Sequence, residues 1–109
     1  MIHREQFDGI VANAALVHLL ERADLYQIFE KVYHRLNNNG LFFARVLEKE
    51  GRVEEFDNHL FGGLRWFVYF SMEELIRAAT EAKFSVVEKI AKPHVKYQNV
   101  TWNMILLGK

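Results

Sequence analysis

The chain has 109 residues, half of them apolar and 14% aromatic, which suits one domain with a packed core and excludes a disordered segment. Lys plus Arg and Asp plus Glu both number 14, so the net charge is zero and the positive excess that nucleic-acid binding needs is missing. The chain has no cysteine, which excludes disulfides and thiolate chemistry. No apolar run reaches the length of a membrane span. We therefore expect a single domain over residues 1–109 of a cytoplasmic protein, with no signal peptide.

The first half of the chain predicts a strand, a helix and a second strand. Residues 9–13 contain a short apolar run that stops at an Asn. Residues 22–36 carry apolar side chains at helical spacing, namely Leu25, Ile28, Phe29, Val32 and Leu36. Residues 37–40, Asn-Asn-Asn-Gly, should stop this helix, with Gly40 in the left-handed conformation. Residues 41–47 are nearly all apolar, as in a strand covered on both faces, so the unit reads as βαβ with parallel strands.

The middle of the chain breaks this pattern. Residues 48–58 are charged and have no period, which predicts a loop. Two glycines at 62 and 63 add a flexible point before an aromatic run at residues 64–70. We expect residues 48–63 to be the most mobile internal segment.

The last part predicts a capped helix and two strands. The sequence Ser71-Met72-Glu73-Glu74 is a capping box, followed by a helix over residues 72–82. Residues 84–91 read as a strand that Pro93 ends, and residues 100–107 read as another. Because no helix fits between these two strands, we expect them to pair antiparallel.

Four stretches in this order carry a resemblance. They are "FDGIVANAALVHL" from Phe7, "LYQIFEKVYHRLNNNGLFFARV" from Leu25, "FVYFSMEELIRAATEAKFSVVEK" from Phe67 and the closing "NVTWNMILLGK". Together they resemble the second half of the Rossmann-like S-adenosylmethionine-dependent methyltransferases, although Asn-Asn-Asn-Gly replaces the Leu-Lys-Pro-Gly-Gly turn usual in that family. The resemblance implies an α/β fold equal to half of a doubly wound domain. Its sheet would be mixed and four-stranded, with a C-terminal antiparallel hairpin and helices on its faces.

The resemblance also implies a function, which is the acceptor-side portion of an S-adenosylmethionine-dependent methyltransferase for a small-molecule acceptor. In that family a glycine-rich turn and an acidic residue in the first half hold the cofactor. This sequence contains no G-x-G-x-G. We therefore expect the chain alone to be inactive and not to bind S-adenosylmethionine without a complementary N-terminal half. The alternative is a non-catalytic association module derived from a methyltransferase, which uses the exposed sheet.

Candidate cofactor residues follow the first strand. The resemblance places the backbone of Asn13, Ala14 and Ala15 beside the methionine part and the adenosine, at the carboxyl end of a parallel strand, where open α/β sheets bind ligands. His18 would face the same pocket. The simpler interpretation, favoured for the chain by itself, is that Asn13 caps a short helix. His18 would then be a packed side chain without a role in chemistry.

Candidate acceptor residues lie in the aromatic run. Arg65, Trp66 and Tyr69 would form a lid, in which Arg65 attracts an anionic acceptor and the rings exclude water. Equally, this run is a strand-like segment that covers the sheet. The five His residues lack metal-binding spacing, so no metal site is predicted. Methyl transfer requires placement more than a particular side chain, so the sequence identifies no catalytic residue.

A final expectation concerns association. The strand at residues 9–13 has no charged residue to guard an exposed edge. With no preceding strand beside it, this edge would pair with a second copy. We therefore expect a homodimer, unless a complementary half covers the edge.

Overall fold

The computed structural model describes residues 7–13, 24–51, 54–57 and 65–109. In chain order the elements are β1 (Phe7–Asn13), α1 (Asp24–Arg35), β2 (Leu36–Lys49), β3 (Glu54–Asp57), β4 (Arg65–Val68), α2 (Met72–Glu81), β5 (Ser85–Pro93) and β6 (Val100–Gly108). Neither of the two helices in these ranges is long and apolar enough to cross a membrane.

The main sheet has four strands in the order β1-β2-β6-β5. β1 runs parallel to β2, whereas β6 is antiparallel to both of its neighbours, β2 and β5. β3 and β4 form a separate two-stranded antiparallel sheet. The predicted mixed four-stranded sheet and its C-terminal antiparallel hairpin are therefore confirmed.

The hydrophobic core lies between one face of the main sheet and the two helices. Phe42 and Ala44 of β2 lie opposite Leu107 and Ile105 of β6, and alternation places all four on the same face. The helix residues that cover them are spaced three or four apart, namely Leu25 and Phe29 of α1 and Leu75, Ala78 and Ala79 of α2. This spacing is why the helical periodicity of the sequence predicted both helices.

The start of α2 forms as its sequence predicts. The Ser71 hydroxyl accepts a hydrogen bond from the amide of Glu74 at 3.2 Å, and the amide of Ser71 donates to the Glu74 carboxylate at 3.1 Å. These bonds satisfy the backbone amides of Glu74 and Ser71, which the start of a helix otherwise leaves without a partner. The capping box therefore fixes where α2 begins, close to the last residues of β4.

The turn from α1 into β2 differs from its prediction. Asn39, with φ of 68°, takes the left-handed conformation that was expected at Gly40. Gly40 is required for a different reason, because a Cβ there would lie 2.8 Å from the carbonyl oxygen of Asn37. The helix ends at Arg35 and the strand begins directly at Leu36, so β2 starts five residues earlier than predicted.

β2 is also less covered than predicted. Its buried residues alternate along much of the strand, and Leu41 on the other face is 44% exposed. The prediction that both faces are covered is wrong at that position, because α1 and α2 both pack on the opposite face. Val11 of β1, which pairs with Phe43 on the same side as Leu41, is 69% exposed.

The predicted loop at residues 48–58 is the clearest correction. Glu48 and Lys49 belong to β2, and residues 54–57 form β3, which pairs with β4. A ladder satisfies backbone groups whether or not its side chains are apolar, so a charged segment with no period still forms a strand when a partner is available. Residues 52–53 and 58–64 lie outside the described residues, and the expected mobility of residues 48–63 stays a prediction.

Candidate functional site

A cavity of about 410 Å³ opens beside the end of β2. Its lining comes from two places, residues 48–51 at the end of β2 and the start of α2 with the residues before it, namely Tyr69, Phe70, Ser71 and Glu74. β1 and β2 are parallel, so their carboxyl ends meet at this edge of the main sheet, with Asn13 opposite Arg45. Ligands of open α/β sheets bind at this kind of edge, so we take the cavity as the candidate site.

Backbone hydrogen bonds hold the two sides of the cavity together. The amide of Phe70 donates to the carbonyl of Leu47 at 2.9 Å, which ties the segment after β4 to the end of β2. On the other side, the amide of Glu50 donates to the carbonyl of Asn99 at 2.8 Å. Gly51 then turns the chain with φ of 75°, a conformation that glycine adopts without strain. The cavity wall is therefore formed by the end of β2 and by the start of α2 with the residues before it.

Glu48 is held in this wall by a buried amide. Asn103 of β6 is 1% exposed and donates from Nδ2 to Glu48 Oε1 at 2.9 Å and to the carbonyl oxygen of Phe70 at 3.0 Å. Its Oδ1 is buried and has no hydrogen-bond partner among the described residues. Because the two acceptors fix which atom is the nitrogen, the amide orientation follows from the network. Asn103 thus positions a carboxylate at the cavity.

Sequence reasoning missed both of these residues. It placed Glu48 in a solvated loop, whereas Glu48 is half-buried and lies in β2. Asn103 did carry a signal, because it is an amide between Trp102 and the apolar run Met104 to Leu107. A polar residue in a buried strand needs partners, and seeking those partners would have pointed to the end of β2.

Of the three residues predicted to bind the methyl acceptor, Tyr69 is the one whose side chain the structure describes. It is buried, packs with Leu47 and Val100, and lines the cavity. Its hydroxyl donates to Glu55 Oε1 at 3.3 Å, and Lys49 forms an ion pair with the same carboxylate. Tyr69 therefore joins the cavity to β3. Its role in binding an acceptor stays a prediction.

The other predicted site residues are described only in part or not at all. Asn13 ends β1, and Arg65 and Trp66 lie in β4, where the ladder places Trp66 opposite Phe56. Their side chains lie outside the described part of the structure, as do Ala14, Ala15 and His18 entirely. Within the described residues there is no group of three or more His, Cys, Asp or Glu that could hold a metal ion.

A stacked cluster lies nearby on β2, β6 and the hairpin turn. The guanidinium of Arg45 lies 3.9 Å from the ring centroid of Trp102, and the ring of His94 stacks on Trp102 at 5.9 Å. His94 Nδ1 accepts hydrogen bonds from the amides of Lys96 and Tyr97, at 3.1 and 3.3 Å. These bonds help to close the turn between β5 and β6 and hold His94, which stacks on Trp102, so the cluster supports the hairpin.

No protein-family model matches the chain, and no curated protein sequence matches it. Several solved structures do match the chain. A methyltransferase dependent on S-adenosylmethionine from Methanosarcina mazei matches with a TM-score of 0.80 and 14% identity, over 98% of this chain and 61% of that chain. The 1,6-didemethyltoxoflavin-N1-methyltransferase of Burkholderia thailandensis, with 1,6-didemethyltoxoflavin and S-adenosylhomocysteine bound, matches with a TM-score of 0.74 and 22% identity, over 100% and 46%.

A third match extends the same pattern. A putative S-adenosylmethionine-dependent methyltransferase from Listeria monocytogenes has a TM-score of 0.75 and 15% identity, over 100% of this chain and 64% of that chain. At such identities the likeness establishes the fold. The chain has the fold of half of a Rossmann-like methyltransferase domain, as the sequence predicted, and it spans 46 to 64% of the length of these three structures.

Proposed function

We propose that the chain is the acceptor-side portion of an S-adenosylmethionine-dependent methyltransferase. The observation that carries this proposal is the match of 98% of the chain, at a TM-score of 0.80, to a methyltransferase of that class. The cavity beside β2 adds support, because it lies where open α/β sheets bind their ligands. In this proposal the cavity takes a small-molecule acceptor, and Tyr69 with the residues of β4, Arg65 and Trp66, borders it.

The cofactor would lie next to this cavity, beyond the end of β1. We propose that the backbone of Asn13, Ala14 and Ala15, with His18, borders it there. When bound, the cofactor supplies an electrophilic methyl group. This chain's own residues would orient the acceptor toward it and exclude water.

The proposal is tested by ultraviolet crosslinking of tritiated S-adenosylmethionine. The protein isolated from its own cells, with any chains that accompany it, is compared with the 109-residue chain produced alone. We expect label in the isolated material and its loss on competition with S-adenosylhomocysteine. The chain alone should remain unlabelled at micromolar cofactor, because its sequence has no G-x-G-x-G turn to approach the ligand.

Two results would contradict different parts of this proposal. Isolated material that takes no label would refute the methyltransferase assignment. Labelling of the 109-residue chain alone, at micromolar cofactor, would instead refute its dependence on a complementary half.

We also propose that two copies of the chain pair along β1 when no complementary half covers this edge. β1 is an edge of the main sheet as the described residues form it, and its Val11 is 69% exposed. From Gly9 to Asn13 this edge has no charged residue, and edges without such guards pair with other strands. Replacing Val11 with lysine should abolish the dimer at high micromolar concentration, since a two-fold axis would bring like charges together. Analytical ultracentrifugation measures this.

The matched control is Val95→Lys, the same change at a fully exposed position in the hairpin turn, which should leave the dimer intact. Ile10→Lys is unsuitable, because Ile10 packs against the core. A wild-type chain that sediments as a monomer, or a Val11→Lys dimer, would refute pairing through β1.

A further inference from the structure

This proposal rests on the proposed function. We propose that the cavity beside β2 selects a methyl acceptor with an amine or ammonium nitrogen. The Glu48 carboxylate would accept a hydrogen bond from this nitrogen. The carboxylate is part of a cavity wall, is held by a buried amide and lies at the ligand-binding edge of the sheet. Both the charge and the hydrogen-bonding capacity of this wall favour a donor ligand.

Among the described lining residues, negative charges outnumber positive ones. The lining includes three carboxylates, those of Glu48, Glu50 and Glu74, and one ammonium group, that of Lys49. The Lys49 ammonium forms an ion pair with Glu55, so its charge is largely balanced within the protein. A carboxylate or phosphate acceptor would be repelled here, whereas a cation would be attracted. This differs from the anionic acceptor expected from Arg65, whose side chain lies outside the described part of the structure.

The side chains of the wall offer more hydrogen-bond acceptors than donors to a ligand. Asn103 is not part of the lining, and its Nδ2 is used on Glu48 and on the Phe70 carbonyl, so it offers no donor to a ligand in the cavity. The two hydroxyls of the wall already donate within the protein, Ser71 to Glu74 and Tyr69 to Glu55. A ligand that supplies N–H donors therefore suits this wall, because carboxylate oxygens only accept hydrogen bonds.

Glu48 is also positioned before a ligand arrives. One of its oxygens accepts from Asn103 at 2.9 Å, and Asn103 is fixed in turn by its bond to the Phe70 carbonyl. A carboxylate held this way loses little freedom on binding, which favours affinity. The rings of Tyr69 and Phe70 belong to the same lining and would contact the apolar part of a modest-sized acceptor.

The test uses three probes that share one ring and differ in charge, benzylamine hydrochloride, benzyl alcohol and sodium benzoate. Each is titrated into the full ¹⁵N-labelled chain at matched ionic strength, and amide chemical shifts are followed. We expect benzylamine to shift the amides of residues 48–51 and 69–71, benzyl alcohol to shift them less, and benzoate to leave them unchanged. Equal shifts with benzoate, or none with benzylamine, would refute the proposal.

The decisive variant is Glu48→Gln, which removes the charge but keeps an oxygen to accept from Asn103. It should weaken benzylamine binding by about tenfold or more, as expected for loss of a charged hydrogen bond. Glu73→Gln, an exposed position on α2 outside the lining, should bind benzylamine as the wild type does. If Glu48→Gln fails to fold, Glu50→Gln replaces it, with a weaker effect in the same direction.

Unchanged benzylamine binding by the folded Glu48→Gln chain would overturn the assignment of Glu48. The outcome is separate from that of the proposed function, because benzylamine binding needs no cofactor. Loss of cofactor labelling in the crosslinking experiment, together with retained benzylamine binding, would refute the methyltransferase assignment and leave the amine site standing.

Discussion

Replacing Phe29 with alanine is expected to lower the free energy of unfolding by about 3–5 kcal/mol. The side chain is fully buried between α1 and the main sheet. Its ring meets Phe42 edge-to-face with centroids 5.2 Å apart, and Phe84 at 6.5 Å. Alanine would lose both ring contacts and leave a cavity that rigid neighbours cannot fill. Urea unfolding followed by circular dichroism measures the change.

The control for this variant is Gln27→Ala, on the exposed side of the same helix. Its effect should stay below about 0.5 kcal/mol, because alanine and glutamine have similar helix propensities. If Phe29→Ala lowered the free energy by less than about 1 kcal/mol, the site would collapse around the cavity and the core would be less tightly packed than its aromatic contacts indicate.

Replacing Asn103 with aspartate should lower the free energy of unfolding by about 3 kcal/mol or more at neutral pH. The change removes the donor that now serves Glu48 and the Phe70 carbonyl, at 2.9 and 3.0 Å. It also places a second carboxylate against the first in a position with 1% exposure. Two carboxylates in contact at a buried position are strongly unfavourable.

Two companion variants separate this network from a general effect of charge. Asn38→Asp makes the same change at an exposed position of β2 and should alter stability by less than about 0.5 kcal/mol. Adding Glu48→Gln to Asn103→Asp should restore at least about 1 kcal/mol, because the glutamine amide can donate to the new carboxylate. Strictly additive effects would mean that the two side chains do not interact, contrary to their contact.

Much of the fold could be predicted from the sequence because its signals are local. Helix α1 was visible from apolar residues three and four apart, and α2 from the capping box of Ser71 and Glu74. The β5–β6 hairpin followed from Pro93 and from the lack of room for a helix. Each of these signals acts within a few residues, so the chain carries it before any tertiary contact forms.

The sequence by itself therefore determined the two helices, the strands of the main sheet and their likeness to half of a methyltransferase fold. Only the tertiary structure decided that charged residues 54–57 form a strand, that Glu48 borders a cavity and that Asn103 holds it there. The reason is distance along the chain. Asn103 and Glu48 are 55 positions apart, and β3 becomes a strand only because β4 supplies a partner. The role of a buried polar group depends on its hydrogen-bond partners, and folding brings together partners that are far apart in the sequence.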